Sequence, residues 1–124
     1  MSLRQDLAQI IQTSSQANDT SYHLDFVLRP DFPIFAGHFP DHPVLPAMVQ
    51  MIMAEMTLEA WQKKSLQTTA VRQGKFLRPI VPPATVRCTV AVVKSQAQAT
   101  LSIGSEICAQ IAWTYKPVNI SNPT

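Results

Sequence analysis

Long apolar runs, blocks of like charge and ligand-spaced cysteines are all missing from this 124-residue sequence, and each absence removes a class of protein. No apolar run approaches the roughly 18 residues that a membrane-spanning helix needs, so no membrane association is expected. Ten basic side chains stand against eight acidic ones, for a formal charge of +2, which is too small to argue for a nucleic-acid partner. The two cysteines, Cys88 and Cys108, sit in apolar alternating stretches with no CxxC or Cys/His spacing nearby. They read as buried free thiols in a reducing compartment, with a disulfide the lesser alternative. The opening Met1-Ser2-Leu3-Arg4-Gln5-Asp6 has neither the basic segment nor the apolar stretch of a secretion signal, and a cytoplasmic location is expected.

What is present fits one domain over residues 1–124, with an ordinary hydrophobic fraction of 46%. Leu3, Leu7, Ile10 and Ile11 recur at helical spacing and predict an N-terminal helix over residues 3–12, followed by a polar loop over 13–20. Alternation over 21–29 predicts a strand with Tyr22, Leu24, Phe26 and Leu28 on its apolar face and His23 toward solvent. Pro30, Pro33, Pro40, Pro43 and Pro46 then stiffen a segment that can be neither helix nor central strand. Residues 47–64 contain no Gly or Pro and predict one long helix, its first three turns apolar nearly all round except at Gln50 and Glu55 and its last turn offering Glu59, Gln62, Lys63 and Lys64 to solvent.

After residue 69 the pattern is β: 70–77, 85–94, 97–103 and 106–115, with tight turns at Ser95-Gln96 and Gly104-Ser105. One apolar face is formed by Ala97, Ala99, Leu101 and Ile103, another by Ile107, Ala109, Ile111, Trp113 and Tyr115. A sheet with one greasy face needs a cover, and the helix opening at Ala47 is the large apolar element available. The fold class is therefore α+β, an antiparallel sheet around one central helix. A helix apolar on all sides is hard to cover with one small sheet, so a second copy is expected to complete its burial.

The chemistry concentrates in Gly37-His38-Phe39-Pro40-Asp41-His42-Pro43-Val44-Leu45-Pro46, which runs directly into Ala47-Met48-Val49-Gln50. It sets an imidazole on a braced loop beside a helix N-terminus, whose partly positive N–H groups polarise a carbonyl oxygen. His38 and His42 do not make a metal pair, because Pro40 excludes helical spacing and no third ligand is evident. A second motif, Lys75-Phe76-Leu77-Arg78-Pro79-Ile80-Val81-Pro82, follows the helix.

Together, over about residues 22–115, these motifs resemble the hot-dog-fold 3-hydroxyacyl-(acyl carrier protein) dehydratases of the FabA and FabZ type, including the short ApeI-like members of polyene lipid clusters. The resemblance implies dehydration of a 3-hydroxyacyl thioester to the trans-2-enoyl thioester, with acyl carrier protein as partner, a dimer, and no metal or cofactor. It makes His38 the base that takes the C2 proton, and Ala47, in the place of the family's helix-opening glycine, the N–H donor to the thioester oxygen. It sets Phe39, Pro46, Met48 and Met51 along the substrate, although Met48, Met51, Met53 and Met56 read first as core. The family acid lies fourteen residues beyond the histidine, and that position is Ile52. The nearest carboxyl on the same helix is Glu55, about 4.5 Å further along the axis and about 60° around it. Glu55 is either the acid or an ion-pair partner of Arg72, Lys75 or Arg78 at a protomer contact. Arg29, Arg72, Lys75, Arg78 and Arg87 are candidates for the surface that receives the carrier protein. The rival expectations are an acyl thioesterase and a silent acyl-binding subunit of a heterodimer.

Overall fold

Ser2 forms a reciprocal cap on the first helix, its hydroxyl accepting from the Gln5 N–H while the Gln5 side chain accepts from the Ser2 N–H at 2.9 Å. The computed structural model describes residues 2–36 and 43–118. The capped helix, α1 (Leu3–Gln9), is shorter than the expected 3–12 and buries Leu7 completely. The chain turns at Ile10 and enters a strand, β1 (Ile11–Asn18), where a loop was expected. β1 is an edge strand paired antiparallel to β2 (Ser21–Leu28), with register irregularities at both of its ends. An edge strand needs backbone pairing more than apolar alternation, and the irregularities erase its period of two, so its sequence looks like loop.

After a short 3-10 turn (Pro33–Phe35) comes α2 (Ala47–Gln62), which stops two residues before the expected 64 because Lys63 takes a left-handed conformation with φ 57°. It buries Val49, Gln50, Met53, Ala54, Thr57 and Leu58, a single face, against the sheet. The strands β3 (Leu66–Phe76), β4 (Ala84–Val93), β5 (Gln96–Ile103) and β6 (Glu106–Pro117) complete one antiparallel sheet in the order β1-β2-β4-β5-β6-β3. α2 packs across β2, β3, β4 and β5, which is the expected hot-dog arrangement. Trp113, Phe26, Met53, Leu58 and Leu101 are the large side chains sealed between helix and sheet.

Three local expectations are corrected. β3 starts at Leu66 rather than 70, because its first residues pair with β6 through Lys116 and Pro117. The β4–β5 turn is Lys94-Ser95, one residue earlier than expected, and both residues have positive φ (51° and 67°), as a two-residue hairpin loop of matching twist requires. Ile107 is 42% exposed, because a bulge between β5 and β6 inverts the alternation at Cys108 and turns that thiol inward. Both cysteines are free and buried. Among the described residues no helix is long and apolar enough to cross a membrane.

Candidate active site

The two motifs meet in space through one backbone hydrogen bond, from the Leu45 N–H to the Ile80 carbonyl at 2.8 Å. Ile80 is fully buried, and the Leu77 and Arg78 N–H groups both donate to the Cys108 carbonyl, at 2.8 and 3.1 Å. The link between β3 and β4 is thus pinned on one side to β6 and on the other to the segment entering α2. An open pocket of about 310 Å³ lies where they join, lined by Val44, Leu45, Ala47, Gln50, Phe76 and Arg78.

The start of α2 is chemically bare. Pro46 precedes the helix and offers no side-chain cap, and no acidic residue occupies the first turn. The Val49 and Gln50 N–H groups both turn back to the Pro46 carbonyl at 3.1 Å, whereas those of Ala47 and Met48 have no backbone acceptor among the described residues. Two amides at the positive end of a helix dipole, one of them belonging to a pocket-lining residue, form a donor site for an oxygen carrying negative charge.

Of the residues singled out from sequence, Ala47 lines this pocket and Pro46 stands at its helix start. His38 and Phe39, with Asp41 and His42, lie outside the described residues. Met48 is 65% exposed and turned away from the core, while Met51 and Ile52 pack against it, partly buried. Within its own chain Glu55 pairs with none of Arg72, Lys75 and Arg78. It accepts from the Thr68 hydroxyl of β3 and lies 3.6 Å from Arg4 of α1, whose closer partner is Glu59 at 2.6 Å. Eight residues separate Glu55 from Ala47, about 12 Å along the helix.

The expected basic surface also divides. Arg87 of β4 is committed to Asp25 of β2 through two hydrogen bonds of 2.9 and 3.1 Å, and Thr13 donates to the same carboxylate at 2.6 Å. These bonds hold the Asp25 carboxyl below its ordinary range, the Arg87 guanidinium being the main cause. Arg72 and Lys75 lie on β3, three strand spacings from β4, or roughly 14 Å. Arg78, just beyond β3, lines the pocket and lies 3.8 Å from Glu106, whereas Arg29 follows β2 and Arg87 lies on β4, toward the other edge of the sheet. Gln50, Phe76 and Pro79 also line the pocket; all three stand in the two motifs read from the sequence, which gave none of them a role at the site.

A six-stranded antiparallel sheet laid over one helix defines a hot-dog protein. Residues 13–112 match the model of the ApeI-like family, described as ApeI dehydratase, and the chain belongs to that family. The 3-hydroxyacyl-[acyl-carrier-protein] dehydratase FabZ of Desulforamulus reducens is 30% identical over 90 residues, covering 63% of each chain. The FabZ of Gluconobacter oxydans is 36% identical over 74 residues, covering 52% of this chain and 44% of that one. The chain therefore spans less than two thirds of the length of the curated relatives it matches. Among solved structures, the dehydratase heterocomplex ApeI:P from Xenorhabdus doucetiae superposes with a TM-score of 0.77 at 18% identity, covering 86% of this chain and 96% of that one. The dehydratase domain from the CurF module of curacin polyketide synthase superposes at 0.71 with 14% identity, over 94% of this chain and 46% of that one. Both show the same fold.

Proposed function

We propose that this chain eliminates water from a 3-hydroxyacyl thioester carried on acyl carrier protein, giving the trans-2-enoyl thioester, in the cytoplasm. The observation that carries the reading is the pair of amides at Ala47 and Met48, which have no backbone acceptor among the described residues and lie where the two family motifs are tied together. The Ala47 N–H holds the thioester oxygen and stabilises the enolate-like charge that builds there as the C2 proton leaves. His38 takes that proton, the C3–O bond breaks as C2=C3 forms, and a carboxylic acid protonates the departing hydroxyl. Glu55 is the carboxyl assigned to that step, acting on the pocket of a second copy; within its own chain it is held between Thr68 and Arg4.

The second copy has a ready place. β3 is an unpaired sheet edge whose residues 71–76 are exposed, with Val71 57% and Phe76 47% open, and the following Leu77 is 57% open. A homodimer that joins these edges would cover them and complete the burial of α2. Arg78 at the pocket, with Lys75 and Arg72 along the same strand, supplies positive charge for an acidic carrier protein.

Ile52 in the family's acid position favours one rival reading, a silent acyl-binding subunit paired with an active partner. One assay separates the two. Purified protein is incubated with a 3-hydroxyacyl carrier protein or its pantetheine surrogate, and the acyl mass is followed. Loss of one water that disappears in His38→Ala supports dehydration; binding without any mass change supports the silent subunit; release of free thiol would mark a thioesterase.

A further inference from the structure

Gln50 is the one buried side chain among the described residues whose polar atom is left without a partner. The residue is 4% exposed. Its Nε2 donates to the Leu45 carbonyl at 3.1 Å. A carbonyl only accepts, so the nitrogen must face Leu45 and the acceptor Oε1 must face elsewhere. Thr57, the other buried polar residue of α2, shows the contrast by donating to the Met53 carbonyl at 2.7 Å. Such an orphaned acceptor is costly unless something at times fills it.

Its location says what would fill it. Gln50 follows Ala47 by three residues, on the same side of α2, and both line the same pocket. Helical side chains lean toward the N-terminus, and the bond to Leu45 draws the carboxamide back to the level of the free amides. The pocket thus offers N–H donors for one oxygen and a lone acceptor for a nearby O–H. A 3-hydroxyacyl thioester presents that complement, a carbonyl oxygen at C1 and a hydroxyl hydrogen at C3. Arg78, also at the pocket, can only donate and cannot take the hydroxyl hydrogen.

We infer that Gln50 Oε1 accepts the hydrogen bond of the substrate's 3-hydroxyl, which makes Gln50 the residue that selects 3-hydroxyacyl over 3-deoxyacyl thioesters. The inference rests on the dehydratase reading above. It adds that the trans-2-enoyl product, having lost the hydroxyl, leaves Oε1 unpaired again and is released more readily.

The test uses the full chain carrying His38→Ala, so that the hydroxy ligand persists, and calorimetric binding of a 3-hydroxyacyl pantetheine and its 3-deoxy counterpart of equal chain length. A preference of about tenfold for the hydroxy ligand is expected, falling to near one in Gln50→Met, which keeps the side chain's length but removes the acceptor. A preference that survives in Gln50→Met overturns the inference. So does weakening of both ligands by the same factor, which is what loss of the Leu45 bond alone would produce. Should Gln50→Met fail to fold, the same two ligands are compared on Gln50→Leu, whose preference must likewise fall to near one; a preference that survives there overturns the inference. If the unmodified chain neither dehydrates the hydroxy ligand nor binds either one, the dehydratase reading has failed and the role of Gln50 falls with it, an outcome distinct from dehydration without selectivity.

Discussion

Glu55→Gln separates the catalytic role proposed for Glu55 from its architectural one. The substitution keeps size and shape and removes only charge and acidity. Structurally, Glu55 loses its ion pair with Arg4, whose side chain is 47% exposed and already committed to Glu59 at 2.6 Å, so that loss is worth no more than about 0.5 kcal/mol. The Thr68 hydroxyl keeps an acceptor, but a neutral one, at a further cost of about 1 kcal/mol. The combined loss of about 1.5 kcal/mol corresponds to a fall in Tm of roughly 5 °C for a chain of this size. If Glu55 protonates the leaving hydroxyl, kcat falls by about 10²- to 10⁴-fold, or roughly 3 to 5 kcal/mol of barrier, with KM little changed. Steady-state kinetics on a 3-hydroxyacyl pantetheine, beside thermal unfolding of the same preparation, reads both quantities. A variant that melts about 5 °C lower yet keeps kcat within threefold would refute the acid assignment and leave Glu55 as a tie between α1, α2 and β3.

Four further outcomes are expected. The folded Asp25 carboxyl titrates below its ordinary 3.8, so its stabilising contribution is present above that value and is lost as pH falls through the lowered one. Asp25→Asn should therefore lose about 1 to 2 kcal/mol at neutral pH in urea unfolding and show a flatter decline below about pH 4. Burial pushes the Cys88 thiol up to about 12, so at pH 8 it should resist iodoacetamide in the folded protein and react on addition of denaturant. Leu101→Ala, at a fully buried position of β5, should cost about 2 to 5 kcal/mol by chemical denaturation. Val71→Glu, at an exposed position on β3, should shift light-scattering mass toward the monomer while changing monomer stability by no more than about 0.5 kcal/mol.

The central helix was legible because Pro46 starts it and no Gly or Pro interrupts it. The strands β2, β4, β5 and β6 were legible because one face of each is apolar and the other is not. What escaped did so for local reasons. β1 earns its place through backbone pairing at a sheet edge, and its Thr and Ser residues carry no periodic signal. The bulge at Cys108 changed which face Ile107 belongs to, and a one-residue insertion of that kind leaves no mark in composition. At the site, the helix start at Ala47 was readable from the motif. The partners of Glu55 were not, because Arg4 lies 51 residues away on a helix whose docking depends on tertiary packing. Gln50 was visible as an oddity but acquired meaning only when its nitrogen was found occupied and its oxygen free.

The two rims of the sheet differ in a way that bears on assembly. At one rim, β1 is polar and irregular in register, a poor template for another strand; at the other, β3 presents a long run with open backbone and exposed Val71 and Phe76. Under the proposed pairing through β3, strand-to-strand growth would be self-terminating: two copies joined at their receptive rims would leave only unreceptive ones outward, closing the pair and blocking extension into fibres.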